Sequence, residues 1–206
     1  MGILKGALSV RRYRIVGELP EGFREPFIQA LNQGQFREPQ SPTHKGEAMG
    51  WVSAHNLLDT DFSDINNWLY DRYAYFALRV DKKAVPAKFL RAHLQKRLEA
   101  WCKANNRPKA PAAVREELKE ALEMELLQRC LPRVQTWEVL WNLNDGWAVF
   151  TNDSELPNER FQKLFLRTFA MRAVPWSPLD ELTGTPGMAE SLVSAGTTDL
   201  RPRVLS

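Results

Sequence analysis

Residues 79–109 gather ten basic side chains, Arg79, Lys82, Lys83, Lys88, Arg91, Lys96, Arg97, Lys103, Arg107 and Lys109, against only Asp81 and Glu99. That is a local excess of +8 in a protein whose formal net charge is +3. Ammonium and guanidinium groups at this density are suited to neutralising phosphates and releasing the counterions condensed on a polyanion. Double-stranded DNA is the partner that such a polarised field suits first. The plain alternative is a solvated helix face filled with good helix formers. A second set, Asp59, Asp61 and Asp64, could hold a divalent ion for nuclease chemistry. Aspartates in a connecting segment more commonly make turns or cap helices.

Other reactive groups are sparse. His44, His55 and His93 follow no zinc-ligand spacing, and the chain has neither a paired Cys-x-x-Cys nor a His-Glu-x-x-His. A glycine-rich phosphate loop and a Gly-x-Ser-x-Gly elbow are also absent from the sequence. Cys102 and Cys130 lie on apolar helical patterns and read as buried free thiols. The expectation is therefore a protein that is not an enzyme and needs no cofactor or metal. Seven tryptophans (Trp51, Trp68, Trp101, Trp137, Trp141, Trp147, Trp176) could stack on bases. Most fall inside strand or helix patterns where a large ring fills a core, leaving one or two for a working surface.

Several elements must position these groups. With 44% hydrophobic residues the chain can bury a proper core. It has no apolar run of the roughly 18 residues that a membrane helix needs, and its first residues lack the apolar stretch of a signal peptide. A cytoplasmic protein with no membrane partner is expected. Alternation in the second half of residues 7–16 predicts a first strand. Pro20 and Gly22 mark a turn before a short helix carrying Phe27, Ile28, Ala30 and Leu31 and ending near Gly34. Strands are predicted at 49–57 and 73–80, with a polar connection over 59–67.

Pro86 opens an amphipathic helix with Leu90, Leu94, Leu98 and Trp101 or Cys102 on one stripe, while Lys88, Arg91, Gln95 and Lys96 point elsewhere. A second helix over 112–130 aligns Val114, Leu118, Leu122 and Leu126, with Glu116 and Glu117 in its first turn and Arg129 in its last, in keeping with the helix dipole. The two form a helical arm. Strands at 135–143 and 146–151 follow, joined through Asn144-Asp145-Gly146, residues that tolerate positive φ. A long helix over 158–172 presents Phe161, Leu164, Phe165, Thr168 and Phe169, and residues 183–206 read as an irregular tail.

In this order the landmarks resemble the RdgC family of bacterial recombination-associated DNA-binding proteins. The resemblance rests on Met49-Gly50-Trp51, the strand ending before Lys82-Lys83-Ala84-Val85-Pro86, the charged helical pair, Leu131-Pro132-Arg133, the strand pair around Asn144-Asp145-Gly146 and the helix leading to Val174-Pro175. It implies binding of duplex DNA with little sequence preference, a ring-like homodimer, a helical tip where subunits meet, and restraint of recombinase filaments in the nucleoid. Carried over by position, Lys82, Lys83, Lys88, Arg91, Lys96, Arg97 and Arg133 are the DNA-binding candidates. Two departures bear on ring closure: family members are longer at the C-terminus, and Gln135 stands where an aromatic residue follows the Leu-Pro-Arg.

The sequence reading is an α+β fold with a mixed or antiparallel sheet, packed helices and a projecting helical pair. Its parts are a sheet-forming stretch over 1–84, the arm over 85–132, returning strands and a long helix over 133–182, and the tail over 183–206. Its function would be sequence-nonspecific binding of double-stranded DNA that modulates homologous recombination. The rivals are a protein-interaction module with no DNA role and a metal-dependent nuclease built on Asp59, Asp61 and Asp64.

Overall fold

A computed structural model of the chain describes residues 2, 3, 6, 8–39 and 47–176. The expected tail over 183–206, and His44, lie outside the described residues. Seven strands form one sheet: β1 (Arg11–Val16), β2 (Glu47–Ser53), β3 (Leu69–Tyr70), β4 (Tyr73–Lys82), β5 (Arg133–Asn142), β6 (Trp147–Phe150) and β7 (Arg172–Pro175). Their order is β2-β4-β5-β6-β1-β7, with β3 beside the start of β4, and every strand pairing is antiparallel. The α+β architecture is as expected. β4 is an interior strand, between β2 and β5, and its residues suit burial on both faces: Ala74 through Asp81 are all buried.

Helices α1 (Arg24–Gln33) and α4 (Glu155–Phe169) cover one face of the sheet. Phe27 and Leu31 of α1 and Phe161, Leu164, Phe165 and Phe169 of α4 close on Tyr13, Trp51, Phe76, Leu78, Trp137, Val139, Trp141 and Phe150. Aromatic rings dominate this layer; Phe150 stacks on Phe161 at 4.7 Å, and Trp141 meets Phe165 edge-on at 5.1 Å. One buried polar network fixes where α4 begins. Tyr13 donates its hydroxyl to Asn158 Oδ1 at 2.5 Å, and Asn158 Nδ2 donates to the carbonyls of Asn152 and Ser154.

Sequence motifs gain a mechanical meaning here. Gly50 is crossed by residues 35–36: Phe36 donates its N–H to the Trp51 carbonyl, and Trp51 donates to that of Gly34. A Cβ on Gly50 would stand 2.4 Å from Phe36 backbone atoms, so the Met49-Gly50-Trp51 motif needs its glycine. The β5–β6 turn is as predicted, with Gly146 at φ +65° and Asn142 Oδ1 accepting from the N–H groups of Asn144 and Asp145.

Some boundaries differ from expectation. β2 ends at Ser53, because His55 and its neighbours turn outward into a loop, so 49–57 is not one strand. The last helix spans Glu155–Phe169 and not 158–172, since Pro157 is accommodated in its first turn, where its missing N–H has no helical partner to lose. Ala170, at φ +55°, reverses the chain, and Arg172–Pro175 adds to β1 as an edge strand. Cys102 and Cys130 are half-buried free thiols, not fully buried ones, because each sits at an end of the arm where packing thins.

Candidate nucleic-acid interface

The arm consists of α2 (Ala87–Ala104) and α3 (Ala112–Arg129), inserted between the paired strands β4 and β5. The two helices pack chiefly on each other around Leu94, Leu122 and Leu126, with Val85, Leu90, Leu98 and Leu118 at the margins. This small core is separate from the main one. At the root, Lys82 and Arg133 are directly opposite in register, so two cations flank the base of the arm.

Helical angles decide which cations face solvent. At 100° per residue Lys88, Gln95 and Lys96 point away from the leucine stripe while Arg91 flanks it beside Leu98, and Lys88, Arg91 and Lys96 are exposed. Among the described residues these three have no carboxylate partner. Arg97 turns the other way, toward α3, and its guanidinium pairs with Glu125. That contact, helped by Arg129, holds the Glu125 carboxyl below its usual range. Lys83 is half-buried and has a partner of its own. Lys82 is exposed with its Nζ 3.4 Å from Glu47, a carboxylate that Arg160 also engages at 2.5 Å.

Arg79 leaves the basic segment altogether. It is buried, donates to both carboxylate oxygens of Asp81 at 2.8 and 2.6 Å, donates to the Leu57 carbonyl, and lies 4.1 Å over the Phe36 ring. Its work is to clamp two loops onto β4. The local excess of +8 thus overstates what phosphates would meet; the solvent-facing set is Lys88, Arg91, Lys96 and Lys103 on α2, Arg107 and Lys109 in the turn after it, and Lys82 and Arg133 at the root.

A protein-family model described as "Putative exonuclease, RdgC" matches residues 9–185, spanning every described element from β1 to β7. The chain belongs to the RdgC family. It is thereby a member of a recombination-associated family. No curated protein matches it. In this RdgC member the Leu131-Pro132-Arg133 stretch forms the exit from the arm, where Leu131 is 90% exposed and Arg133 begins β5.

The acidic candidates are engaged as turn formers. Asp59 Oδ1 accepts from the Asp61 N–H, Asp61 Oδ1 from the Ser63 N–H, and Asp64 Oδ1 from the Asn66 N–H. The Ser63 contacts lower the Asp61 pKa. These turns seat the buried Phe62 and Trp68, whose indole donates to the Phe62 carbonyl. Among the described residues no group of three or more His, Cys, Asp or Glu side chains is placed to hold a metal ion. No helix among them is long and apolar enough to cross a membrane.

Of the tryptophans, Trp51, Trp68, Trp137 and Trp141 are buried, while Trp101, Trp147 and Trp176 are partly exposed. Sequence reasoning did not find the cations of the other sheet face, Arg12, Arg14 and Arg172. The signal was present in Arg12-Tyr13-Arg14, where a buried tyrosine between two arginines puts both on the outer face.

Proposed function

We propose that this protein binds double-stranded DNA without sequence preference, as a homodimer in the nucleoid, and through that binding restrains recombinase filaments. The observation that carries the reading is the α2 face, where Lys88, Arg91 and Lys96 are exposed and have no carboxylate partner among the described residues. A helix face of this kind supplies phosphate contacts, which fix position on a duplex and read no bases. Family membership supports the link to recombination. The test is binding of the full chain to duplexes of unrelated sequence over a range of salt. The expected result is similar affinity for all of them and a log–log salt slope near −0.9 per phosphate contact. A flat salt response, or a strong preference for one sequence, contradicts the proposal.

The family's description as an exonuclease favours one second reading, DNA hydrolysis at a site other than Asp59, Asp61 and Asp64, which are not placed together to hold a metal ion. It is separated from the first by incubating end-labelled DNA with and without Mg²⁺. Shortening of the labelled DNA would establish it, and intact DNA in both samples would remove it.

A further inference from the structure

The face of the sheet opposite α1 and α4 carries no helix among the described residues, and its register assembles groups from four strands. Tyr75 is opposite Leu140, Leu140 opposite Val149, and Val149 opposite Arg12. One residue pair along, Tyr73, Asn142, Trp147 and Arg14 make a parallel row, and Val174 of β7 continues it. Arg172 joins the same face through its pairing with Val16. Arg12, Arg14 and Arg172 are exposed; Arg12 lies 4.0 Å over the Trp176 ring, and neither Arg14 nor Arg172 has a carboxylate partner among the described residues. With strands about 4.8 Å apart, Arg12 and Arg14 stand roughly 14 Å from Tyr73 and Tyr75, and Arg172 on β7 is one strand farther.

At the tyrosine end is an apolar cavity of about 300 Å³ lined by Ile3, His55, Tyr70, Tyr73, Tyr75 and Leu140. Its volume is at the lower limit of ligand-binding cavities, suited to one flat ring. Tyr70 is held by a 2.8 Å hydrogen bond between its hydroxyl and His55 Nε2, and the Tyr75 hydroxyl donates to Glu138 Oε2 at 2.8 Å. His55 also lines a smaller cavity of about 170 Å³ whose walls include Ser53, Thr136, Glu138 and Thr151. An apolar slot for a ring thus adjoins polar groups that can meet the ring's exocyclic atoms.

The geometry points to single-stranded nucleic acid on this face, with one unpaired base between Tyr70, Tyr73 and Tyr75 and the backbone phosphates on Arg12, Arg14 and Arg172. A duplex cannot use the slot, because its bases are stacked and paired and present no free ring face. An acidic peptide would satisfy the arginines and leave the slot empty. This inference goes beyond the duplex-binding arm, since it concerns another form of nucleic acid and another surface.

The test measures anisotropy of three fluorescent probes with the full chain: oligothymidylate, a strand of equal length made of abasic sites, and a duplex. Base stacking predicts that the abasic strand binds about tenfold more weakly than oligothymidylate. Tyr70→Ala, at a side chain already exposed, and the double variant Arg14→Glu/Arg172→Glu should each weaken oligothymidylate binding about tenfold and leave duplex affinity within about twofold. Equal binding of the abasic and normal strands overturns the inference, as does single-strand affinity unchanged in both variants. Should Tyr70→Ala fail to fold, the abasic comparison on the native protein decides alone. Lys88→Glu/Lys96→Glu keeps the two readings apart. If it spares duplex binding while the sheet variants lose the single strand, the arm reading fails and this one stands.

Discussion

Lys96 and Arg97 are sequence neighbours of like charge, and the turn of α2 sends them to different partners. Lys96→Glu should weaken duplex binding and make the salt slope shallower by about one unit, with thermal stability nearly unchanged. Arg97→Glu should instead place a second carboxylate against Glu125 and lower thermal stability slightly while sparing the salt slope, since the pair is solvent-screened; calorimetry separates the two. Gly50→Ala is the harsher change. A methyl 2.4 Å from backbone atoms cannot be absorbed by a rotamer shift, so a loss of about 3 kcal/mol or more is expected in denaturant titration. Tyr13 contributes to the alkaline limit, because burial raises its pKa from 10.0 to about 12, and burial with the Glu138 contact raises Tyr75 in the same direction. Above pH 10 the unfolded chain ionises this hydroxyl while the folded one keeps it neutral, so the Tyr13 contribution is complete below pH 10 and shrinks as pH rises toward 12. Tyr13→Phe should flatten that fall in a stability-versus-pH profile. At this scale the sequence showed which residues were charged but not which were spoken for: nothing local in Arg79-Val80-Asp81 announces a buried fork, since that depends on Phe36 and Leu57 arriving from elsewhere.

Elements with strong periodicity were legible. The two helices of the arm, the β5–β6 hairpin and the interior strand β4 follow from leucine spacing, Asn-Asp-Gly turn chemistry and a dense run of apolar and aromatic residues. β7 was not legible, because four residues carry too little pattern and continue a strong helical one; what ends α4 is Ala170 in a left-handed conformation that its sequence does not advertise. The register at the arm's root yields a prediction about the arm as a unit. Lys82 and Arg133 face each other across an antiparallel pair, so replacing residues 85–131 with a short Gly-containing turn should close β4 onto β5 as a hairpin. The main core, being separate from the arm's own, should stay folded by circular dichroism, while duplex retention and dimer formation fall together in sedimentation. An unchanged dimer would locate the subunit contact outside the arm.

For the whole molecule, charge distribution matters more than net charge. α2 is basic on its solvent side, α3 carries Glu116, Glu117, Glu120, Glu123 and Glu125, and the sheet face that carries no helix among the described residues presents arginines. Phosphate should therefore meet α2 and avoid α3, although both are helices of one arm. Salt dependence of duplex binding in paired charge-reversal variants tests this most directly: Lys88→Glu/Lys96→Glu on the basic flank against Lys119→Glu/Arg129→Glu on the acidic one. Phosphate binding by the α2 face predicts that the first pair weakens affinity and makes the log–log salt slope shallower by about two units, at about one unit per lost contact, while the second leaves the slope unchanged. Equal loss in both pairs, or no change in either, would contradict it and leave the basic segment a solvated helix face.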